Sequence, residues 1–386
     1  MAWQKVKLGD VATCIQPGPF GSQLHNSDYS ESGTPIIMPK DMIDGKISHS
    51  NLIFVEEEHT KRLNRHLVYN GDLMVARKGD VRKCVYITEN ENGWMTGSDC
   101  LKVSLKKDLV LPRFVYYQLR SPFIGRWLEK ISIGATMPSL NTGLLSSVEL
   151  NLPPLATQQK IADILSAYDN LIENNQKQIK LLEEAAQRLY KQWFIDLRYP
   201  GHETIPIVNG LPKGWRRDCV GNLIKKIERT KQIEAKDYLL EGKIPVIDQS
   251  RNFIAGYTDD LDSVVKESCP VIVFGDHTRI LKYIQFPFAK GADGTQLIVS
   301  NIACMPQSLF YCSLVNVDLS NYHYARHFKY LKAEEIVVPD EQIAKKFDGV
   351  VSLLFNKIQT CRNQILFAQN SRDRLLPKLM NGELEI

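Results

Sequence analysis

Apolar residues recur every seven positions between Leu152 and Gly201, and this period predicts one long helix. The two rows of the repeat are Ile161, Tyr168, Asn175, Leu182 and Leu189, and beside them Leu165, Ile172, Ile179, Ala186 and Trp193. Prolines flank the stretch without interrupting it, and Thr157 is the candidate N-cap. Such rows form the seam of a coiled coil, in which the lone amide of Asn175 fixes register and partner. The pattern therefore predicts a specific partner helix.

A shift of 182 residues, from Ile161 to Ile343, aligns this helix with a second stretch near the C-terminus. The aligned seam positions of the second stretch are Ile343, Phe347, Val350, Leu354, Lys357, Cys361 and Ala368. Lys357 is the position aligned with Asn175, and Asp340 is the candidate N-cap. The partner of the first helix is therefore predicted to lie in the same chain.

Short motifs also repeat, in the same order, ahead of each long helix. Trp3, Leu8, Gly9 and Val11 recur as Trp215, Val220, Gly221 and Leu223, the pair Gly79 and Asp80 recurs as Gly275 and Asp276, and Gly97 and Asp99 recur as Gly291 and Asp293. Repeats of this kind predict a tandem duplication of one globular domain followed by one helix. The predicted segments are a globular domain at 1–151, a helix at 152–200, a second globular domain at 201–336, and a helix with a C-terminal segment at 337–386.

Both globular segments have the pattern of an α+β domain. Short β-prone runs such as Leu73 to Ala76, Leu101 to Leu105 and Val271 to Phe274 are separated by glycine, asparagine and aspartate turns. Helices are expected after Pro112 in the first domain and around Leu309 to Leu314 in the second. Each domain is thus predicted to lead into one long helix.

Composition narrows the class of protein. The chain of 386 residues is 44% hydrophobic and carries a net charge of +4, which suits two or three domains with ordinary cores. No run of about 18 apolar residues and no signal peptide is visible, so we expect a cytoplasmic protein. Eight cysteines without C-x-x-C spacing predict reduced thiols rather than disulfides or zinc sites.

Motifs for catalysis are missing from the sequence. The string Asn151 to Leu155 only approximates the N/D-P-P-Y/F motif of an amino-methyltransferase, since it has an inserted residue and no aromatic residue. The sequence has no phosphate-binding G-x-x-x-x-G-K-[ST] loop and no histidine spacing suited to a metal. We therefore expect a chain that binds and does not catalyse, with no cofactor and no metal of its own.

The residues of the two helices resemble those of one family. The segments LPPLATQQKIADILSAYDNLIENN, LEEAAQRLYKQWFIDLRYPG, LPKGW and RDRLLPKLMNGELEI are similar to the specificity subunits of type I DNA restriction-modification systems. The resemblance covers the whole chain. It implies two target recognition domains that each bind half of a bipartite double-stranded DNA sequence, and two long helices packed as an antiparallel coiled coil with pseudo-twofold symmetry. It also implies docking of two modification subunits, which carry S-adenosylmethionine, and of restriction subunits.

Loops rich in cations, amides and hydroxyls are the candidate DNA contacts, because these groups bind base edges and phosphates. The candidates of the first domain are Ser22, Gln23, Arg77, Lys78, Arg82, Lys83, Thr136, Ser139 and Asn141. A solvated charged hairpin explains the cluster from Arg77 to Lys83 equally well, and a polar loop explains the segment from Thr136 to Asn141. These alternatives stay open at the level of the sequence.

The candidates of the second domain lie on different loops with different side chains. They are Arg251, His277, Thr278, Arg279, Lys282, Lys290, Gln296, Arg326 and Lys329. A satisfied turn histidine is the alternative for His277, and the aromatic residues near Arg326 suit core packing. Different loops on one repeated frame predict an asymmetric target rather than a palindrome.

Partner contacts are expected where apolar residues exceed the needs of a two-helix seam. By the resemblance, the candidates for binding modification subunits are Tyr190, Trp193, Phe194, Leu197, Leu375, Leu376 and Leu379. Packing against the adjoining domain is the alternative. Two other classes of protein were weighed for the whole chain: a fused recognition and methylation enzyme, for which no catalytic motif is present, and a coiled-coil scaffold without direct DNA readout.

Overall fold

The computed structural model describes residues 3–134, 138–322, 326–384 and 386. The chain divides into two compact units, of which unit 1 comprises Met1–Glu173 with Leu366–Ile386 and unit 2 comprises Asn174–Ile365. Each unit therefore contains a globular part together with a segment of each long helix. This division cuts across the four segments predicted from the sequence, whose boundaries stay a prediction.

Unit 1 contains short strands, short helices and one end of each long helix. Its strands are Gln4–Lys7, Ala12–Pro17, Tyr29–Ser30, Thr34–Ile37, Met42–Ile43, Lys46–Ile47, Ile53–Val55, Leu73–Ala76, Cys84–Tyr86, Met95–Thr96, Cys100–Leu105 and Glu149–Leu152. Its short helices are Leu8–Val11, Glu57–Arg62, Pro112–Leu119, Pro122–Ile131 and Thr142–Ser146. The first long helix, Leu155–Tyr190, begins in this unit.

Two four-stranded sheets organise unit 1. In one, Leu73–Ala76 lies between Cys100–Leu105 and Cys84–Tyr86 and is antiparallel to both. In the other, Thr34–Ile37 lies between the parallel strand Met95–Thr96 and the antiparallel strand Ile53–Val55. All four residues of Leu73–Ala76 are buried, so this strand lies in the core. The loop that follows it is therefore supported by a rigid base.

Unit 2 has the same kinds of elements. Its strands are Ile207–Val208, Leu211–Pro212, Arg216–Cys219, Gln232–Ile233, Ile244–Ile247, Gly256–Thr258, Val271–Gly275, Leu281–Ile284, Ala289–Gly291, Thr295–Ile298 and Glu335–Val338. Its short helices are Gln307–Val315 and His327–Ala333, and the second long helix, Glu341–Met380, begins here. The buried strand Val271–Gly275 lies between Leu281–Ile284 and Thr295–Ile298, both antiparallel to it.

The topology of unit 2 repeats that of unit 1. Ile244–Ile247 pairs with the parallel strand Ala289–Gly291 and the antiparallel strand Gly256–Thr258, as Thr34–Ile37 does with its neighbours. In each unit an early strand pairs antiparallel with the strand that leads into a long helix: Gln4–Lys7 with Glu149–Leu152, and Arg216–Cys219 with Glu335–Val338. The duplication that the sequence motifs predicted is thus present in the strand pairing.

One predicted motif pair is structurally equivalent and another is not. Thr96 pairs with Ile37, and Lys290 pairs with Ile247, so Gly97 and Gly291 occupy the same place, one residue beyond equivalent strand pairs. Gly275, however, ends its strand opposite Thr295, whereas Gly79 lies three residues beyond the equivalent strand, at the tip of a loop. The alignment of Gly79 and Asp80 with Gly275 and Asp276 was wrong because the second loop is shorter.

The two long helices begin differently. Pro154 O accepts hydrogen bonds from Thr157 N at 2.9 Å and from Gln158 N at 3.0 Å, so the first helix starts before the predicted cap at Thr157. At the second helix the prediction is confirmed, because Asp340 Oδ1 accepts from Gln342 N at 2.9 Å and Ile343 N at 3.0 Å. The first helix ends in the π-helical turn Lys191–Ile195.

Within unit 1 the segments of the two long helices run in opposite directions. Lys160 Nζ donates to Ile386 O at 3.3 Å, and nine residues later Asp169 pairs with Arg372 at 2.7 Å. Seam residues Ile161 and Leu165 belong to the same core as three residues of the second helix, namely Leu376, Leu379 and Met380.

Within unit 2 the helical segments are also antiparallel. Cys361 Sγ donates to Gln178 Oε1 at 3.8 Å, while the rings of Phe194 and Phe347 lie 5.0 Å apart. The predicted seam of the first helix is buried or half-buried throughout, and Asn175 is among its buried residues. The predicted rows are therefore the buried face of this helix, and the coiled coil itself stays a prediction.

The seam predicted for the second helix needs a correction. Val350 is 47% exposed and Lys357 is exposed, whereas the buried residues are the neighbouring Val351, Phe355 and Ile358. The reason is packing in unit 2, where the Phe355 ring lies 4.5 Å from that of Tyr283. The helix turns this face to the globular part, so its buried positions follow the 3.6-residue period of a straight helix.

No helix in the described part of the chain is both long and apolar enough to cross a lipid bilayer.

Candidate nucleic-acid interface

In unit 1, loops that are far apart in the sequence meet beyond the end of the buried strand Leu73–Ala76. Leu140 N donates to Arg77 O at 2.8 Å, and Gly79 N donates to Pro138 O at 3.1 Å. Lys78 forms an isolated β-bridge with Ser139, and its ammonium lies 3.0 Å from Asp99. Two of the predicted clusters are thus one surface, since backbone hydrogen bonds join them.

A third predicted loop borders the same surface. The guanidinium carbon of Arg77 lies 5.4 Å from the centre of the Phe20 ring, which is half-exposed. Ser22 and Gln23 follow Phe20 in a short 3₁₀ turn, in which Gln23 N donates to Phe20 O at 3.3 Å. We call Phe20, Ser22, Arg77, Lys78 and Ser139 the unit 1 loop surface.

Other candidate side chains of unit 1 form hydrogen bonds or ion pairs within the protein. Arg82 pairs with Asp80 at 2.9 Å and with Glu129 at 3.2 Å, and its guanidinium lowers the pKa of Asp80. Lys83 Nζ donates to Pro39 O at 2.9 Å. Asn141 Oδ1 accepts from Leu144 N at 2.8 Å and so caps the helix Thr142–Ser146. The predicted contact Thr136 lies outside the described residues.

In unit 2, the side chain of Gln249 joins three loops. Its Oε1 accepts from His277 N at 3.1 Å, and its Nε2 donates to Asp293 O at 3.0 Å. Its backbone oxygen accepts from Thr278 Oγ1 at 2.7 Å. The exposed residues His277 and Thr278 are therefore held on a hydrogen-bonded base, and the histidine side chain projects from a fixed backbone.

Asp276 extends this network to the segment before the helix His327–Ala333. Its backbone oxygen accepts from His327 N at 2.9 Å and is 2.9 Å from His327 Nδ1. Its Oδ1 accepts from Phe328 N at 2.8 Å. Arg326 and Lys329, both exposed, border these two residues. We call Gln249, His277, Thr278, Arg326 and Lys329 the unit 2 loop surface.

The remaining candidates of unit 2 differ in exposure. Arg251 is exposed, Gln296 is half-buried in a strand, and Arg279, also exposed, donates from Nη1 to Leu319 O at 2.9 Å. Lys290 is half-buried, and burial lowers its pKa. These side chains lie near the network but are not joined to Gln249 by hydrogen bonds.

The position of Lys282 differs from the one expected from the sequence. Its side chain is 4% exposed, and Nζ donates to Asp248 O at 2.8 Å and to the carbonyl of Asn252. A buried ammonium that is bonded to two carbonyls and lies 3.8 Å from Asp248 Oδ1 does not face the surface, so the structure does not place Lys282 where the prediction expected a DNA contact. Its role is to fix the loop that carries Gln249.

Most of the residues predicted to bind partner subunits are buried in the cores of the two units. Tyr190, Trp193 and Phe194 are buried in the core of unit 2, where they pack around Phe347. Leu376 and Leu379 are buried in the core of unit 1. Residues in these positions cannot bind a second protein without opening the core. Of the predicted set only Leu197 and Leu375 are half-buried.

Three residues of the two networks are not among the DNA contacts predicted from the sequence: Phe20, Asp99 and Gln249. An aromatic residue between Pro19 and Gly21 is a weak signal, because loops often contain one apolar residue. Gln249 follows directly on a strand and an aspartate, and its amide could have been chosen as a candidate on residue type alone. Which loops it joins depends on tertiary contacts.

The groups on the two loop surfaces are of the chemical kinds that can contact DNA. Ser22, Lys78, His277, Arg326 and Lys329 are exposed, while the carboxylate of Asp99 is paired with Lys78 and that of Asp276 accepts a backbone N–H. The family model described as "Type I restriction modification DNA specificity domain" matches residues 2–184. Over these residues, nearly half of its length, the chain is similar to this family.

Relatives in the family align along the chain. The type I restriction enzyme MjaIX specificity subunit of Methanocaldococcus jannaschii is 26% identical over 413 residues, covering 100% of this chain and 94% of that protein. The type I restriction enzyme EcoR124I/EcoR124II specificity subunit of Escherichia coli is 32% identical over 96 residues, covering 24% of this chain and 23% of that one.

A solved structure shares the fold. The crystal structure of the S subunit of a type I restriction-modification system from M. genitalium matches with a TM-score of 0.61 at 16% identity, covering 98% of this chain and 96% of that one. The family fold, mixed helix and sheet with a long helix, is therefore the fold of this chain.

Proposed function

We propose that this chain recognises a bipartite, asymmetric DNA target and supplies that specificity to a type I restriction-modification complex. The observation that carries the proposal is a pair of equivalent sites with different chemistry. Arg77 N donates to Asp99 O, and Asp276 N donates to Gly294 O, both at 2.7 Å and both just after the buried central strand. The next residue is Lys78 in unit 1 and His277 in unit 2, so one frame presents different side chains.

The exposed groups suit two kinds of DNA contact. Arg77 and the imidazole of His277 have donors that match base edges in the major groove. Lys78, Ser22, Arg326 and Lys329 carry cations or a hydroxyl suited to phosphates, which position the protein without reading sequence. Both kinds are needed, because phosphate contacts supply affinity and base contacts supply discrimination.

The long helices are proposed to form one antiparallel coiled coil with pseudo-twofold symmetry, which separates two target recognition domains. The opposite direction of the helical segments within each unit supports this arrangement. Two recognition domains on a spacer of fixed length suit two half-sites at a fixed separation along the duplex.

The partners in this proposal are two methyltransferase subunits and, through them, restriction subunits in the cytoplasm. S-adenosylmethionine belongs to the methyltransferase subunits, and this chain binds no cofactor and catalyses no reaction. Of the residues predicted to dock these subunits, Leu197 and Leu375 are half-buried and the others are buried. The proposal rests on the family and not on any contact within the chain.

Sequencing of methylated adenines tests the proposal. Cells that express the chain together with its modification subunits are compared with cells that lack only this chain. We expect a new methylated motif of two short defined blocks around an unspecified gap, with different sequences in the two blocks. A contiguous palindrome, or methylation that does not depend on the chain, would contradict the proposal.

The alternative is a coiled-coil scaffold without direct DNA readout. Binding of the assembled complex to duplexes with single base-pair changes in either block separates the two functions. Recognition by this chain predicts that Lys78→Ala weakens binding to all sequences alike, while the change His277→Ala alters discrimination in one block only. A scaffold predicts that neither substitution alters DNA binding.

A further inference from the structure

Phe20 is an apolar side chain that the fold places in water beside a cation. Its ring is 51% exposed and belongs to none of the apolar cores in the described part of the chain. The loop that carries it is nevertheless fixed at its base. Gly18 N donates to Cys100 O at 3.1 Å, and a Cβ at Gly18 would lie 2.1 Å from Gly97 O. A close approach of backbone to backbone thus holds the loop in place.

The backbone of Arg77 is also held in place by hydrogen bonds. Its backbone donates to Asp99 O at 2.7 Å and accepts from Leu140 N at 2.8 Å, so the residue is anchored on both sides. Among the residues that the structure describes, Arg77 has no ion pair, although Lys78 and Arg82 beside it both have one. Its guanidinium instead lies against the Phe20 ring. The pair presents an uncompensated charge and an apolar surface together.

We propose that Phe20 and Arg77 together read one base-pair step of the half-site bound by unit 1. Arg77 donates two hydrogen bonds to O6 and N7 of a guanine, and the Phe20 ring packs on the methyl group of an adjacent thymine while it orients the guanidinium. This inference rests on the proposed function and deepens it. It adds Phe20, which the sequence analysis left out, as a residue that determines specificity.

The chemistry of the proposed contact explains why an arginine and an exposed aromatic ring lie together. Arginine loses rotamer freedom when it forms a bidentate contact, and an aromatic ring beneath its planar group fixes it in advance. An exposed phenylalanine is unfavourable in water, but the cost is recovered when its ring is covered by the thymine methyl group. The half-buried Arg77 and the 51% exposed Phe20 ring thus present a cation and an apolar surface side by side.

The test uses the complete complex of this chain with its modification subunits. The first step determines the methylated motif of the wild type. Binding is then measured for the cognate duplex, for every single base-pair change in both half-sites, and for unrelated DNA. The variants are Phe20→Ala, Phe20→Tyr and Arg77→Lys. Phe123→Ala is the matched control, because Phe123 is a 66% exposed phenylalanine on a short helix of the same unit.

We expect Phe20→Ala to weaken binding to the cognate duplex about tenfold and to relax discrimination at one or two adjacent positions of a single half-site. Phe20→Tyr keeps the ring and should stay within about twofold of the wild type, a range set by the small change in apolar surface. Arg77→Lys removes the bidentate donor and should relax the same step. Phe123→Ala should leave every duplex unchanged.

Several results overturn the inference. Equal loss of affinity for cognate and unrelated DNA in Phe20→Ala would show a phosphate or folding role, and thermal melting would separate those two. Loss of the modification subunits from the variant complex would show that Phe20 binds protein instead of DNA. Unchanged discrimination in both Phe20→Ala and Arg77→Lys would also overturn it while the wild type still discriminates. A wild-type complex without sequence-dependent binding defeats the proposed function itself.

Discussion

At the scale of single residues, the least expected group is the buried ammonium of Lys282. Its two carbonyl partners, Asp248 O and Asn252 O, lie on either side of Gln249, and Asp248 Oδ1 is 3.8 Å away. Burial lowers the pKa of Lys282 to about 8, although Asp248 acts in the opposite direction. Lys282 is therefore a positioning residue: it fixes the loop from which Gln249 holds His277 and Thr278.

The lowered pKa predicts how stability depends on pH. The pKa of Lys282 is about 8 in the folded protein and 10.5 ordinarily, so between these values the unfolded chain binds more protons. The free energy of unfolding therefore rises with pH across this window, by about 3 kcal/mol at most. We expect the wild type to gain this stability relative to Lys282→Met between pH 7.5 and pH 10, as measured by urea denaturation.

The control for this experiment is Lys329→Met, which removes an exposed lysine of the same unit. The difference between the wild type and Lys329→Met should not change with pH. A difference between the wild type and Lys282→Met that is equally flat would show that Lys282 keeps an ordinary pKa in the fold.

At the scale of elements, the second long helix contributes residues to the cores of both units. In unit 2 its residue Phe347 packs against Phe194 at 5.0 Å, Trp193 at 5.6 Å and Tyr190 at 6.4 Å between ring centres. In unit 1 Arg372 binds Asp169, which also accepts from the Tyr117 hydroxyl at 2.6 Å. Apolar contacts hold the helix in one unit, and a partly buried ion pair contributes in the other.

Truncation of Phe347 should destabilise unit 2 strongly. Phe347→Ala leaves a cavity among three aromatic residues, and the expected cost is about 3–5 kcal/mol in the free energy of unfolding. Leu353→Ala on the same helix is the control, since Leu353 is 66% exposed and its truncation should cost less than about 0.5 kcal/mol. Chemical denaturation followed by tryptophan fluorescence measures both. Equal effects would contradict the core role of Phe347.

Removal of Arg372 should destabilise unit 1. Side chains of both Arg372 and Asp169 are less than one-sixth exposed, at 14% and 12%, so Arg372→Gln leaves a carboxylate largely shielded from water. We expect a loss of about 3 kcal/mol in the free energy of unfolding. The double variant Arg372→Gln with Asp169→Asn should recover part of it. Arg374→Gln, which changes an exposed arginine on the same helix, is the control and should be nearly neutral.

At the scale of the whole molecule, the chain passes between its units only within the long helices, after Glu173 and after Ile365. If the helices form the proposed spacer, their length sets the gap between the two half-sites. The two loop surfaces proposed to contact DNA lie in loops of each unit and do not depend on helix length. Gap length and base specificity should therefore change independently.

Insertion of four helix-forming residues at both crossing points tests this. Four residues add about 6 Å of helix, so the unspecified gap in the methylated motif should lengthen by roughly one to two base pairs while both defined blocks stay the same. Sequencing of methylated adenines gives the result. As a control, replacement of four residues at each point by alanine keeps the length, and the gap should not change. An unchanged gap after the insertions would contradict the spacer.

Much of the architecture follows from local pattern. The seven-residue period predicted the first helix because its buried face repeats with the turn of the helix, and the paired motifs predicted a duplication that the strand pairing shows. The stretch after Pro112, in contrast, forms two helices instead of one, Pro112–Leu119 and Pro122–Ile131. Ser121 accepts from Ile124 N and so starts the second.

The sequence by itself indicated the resemblance to one family, the duplication and the helix-bearing stretches, because these depend on periodicity and on residues close together in the chain. Only the tertiary structure decided which loops meet, that Lys282 is buried and Phe20 exposed, and that Tyr190, Trp193 and Phe194 are core residues. The physical reason is that a side chain's exposure and partners are set by packing between distant segments. A charged or aromatic residue has the same local pattern whether it faces DNA, a partner or the core.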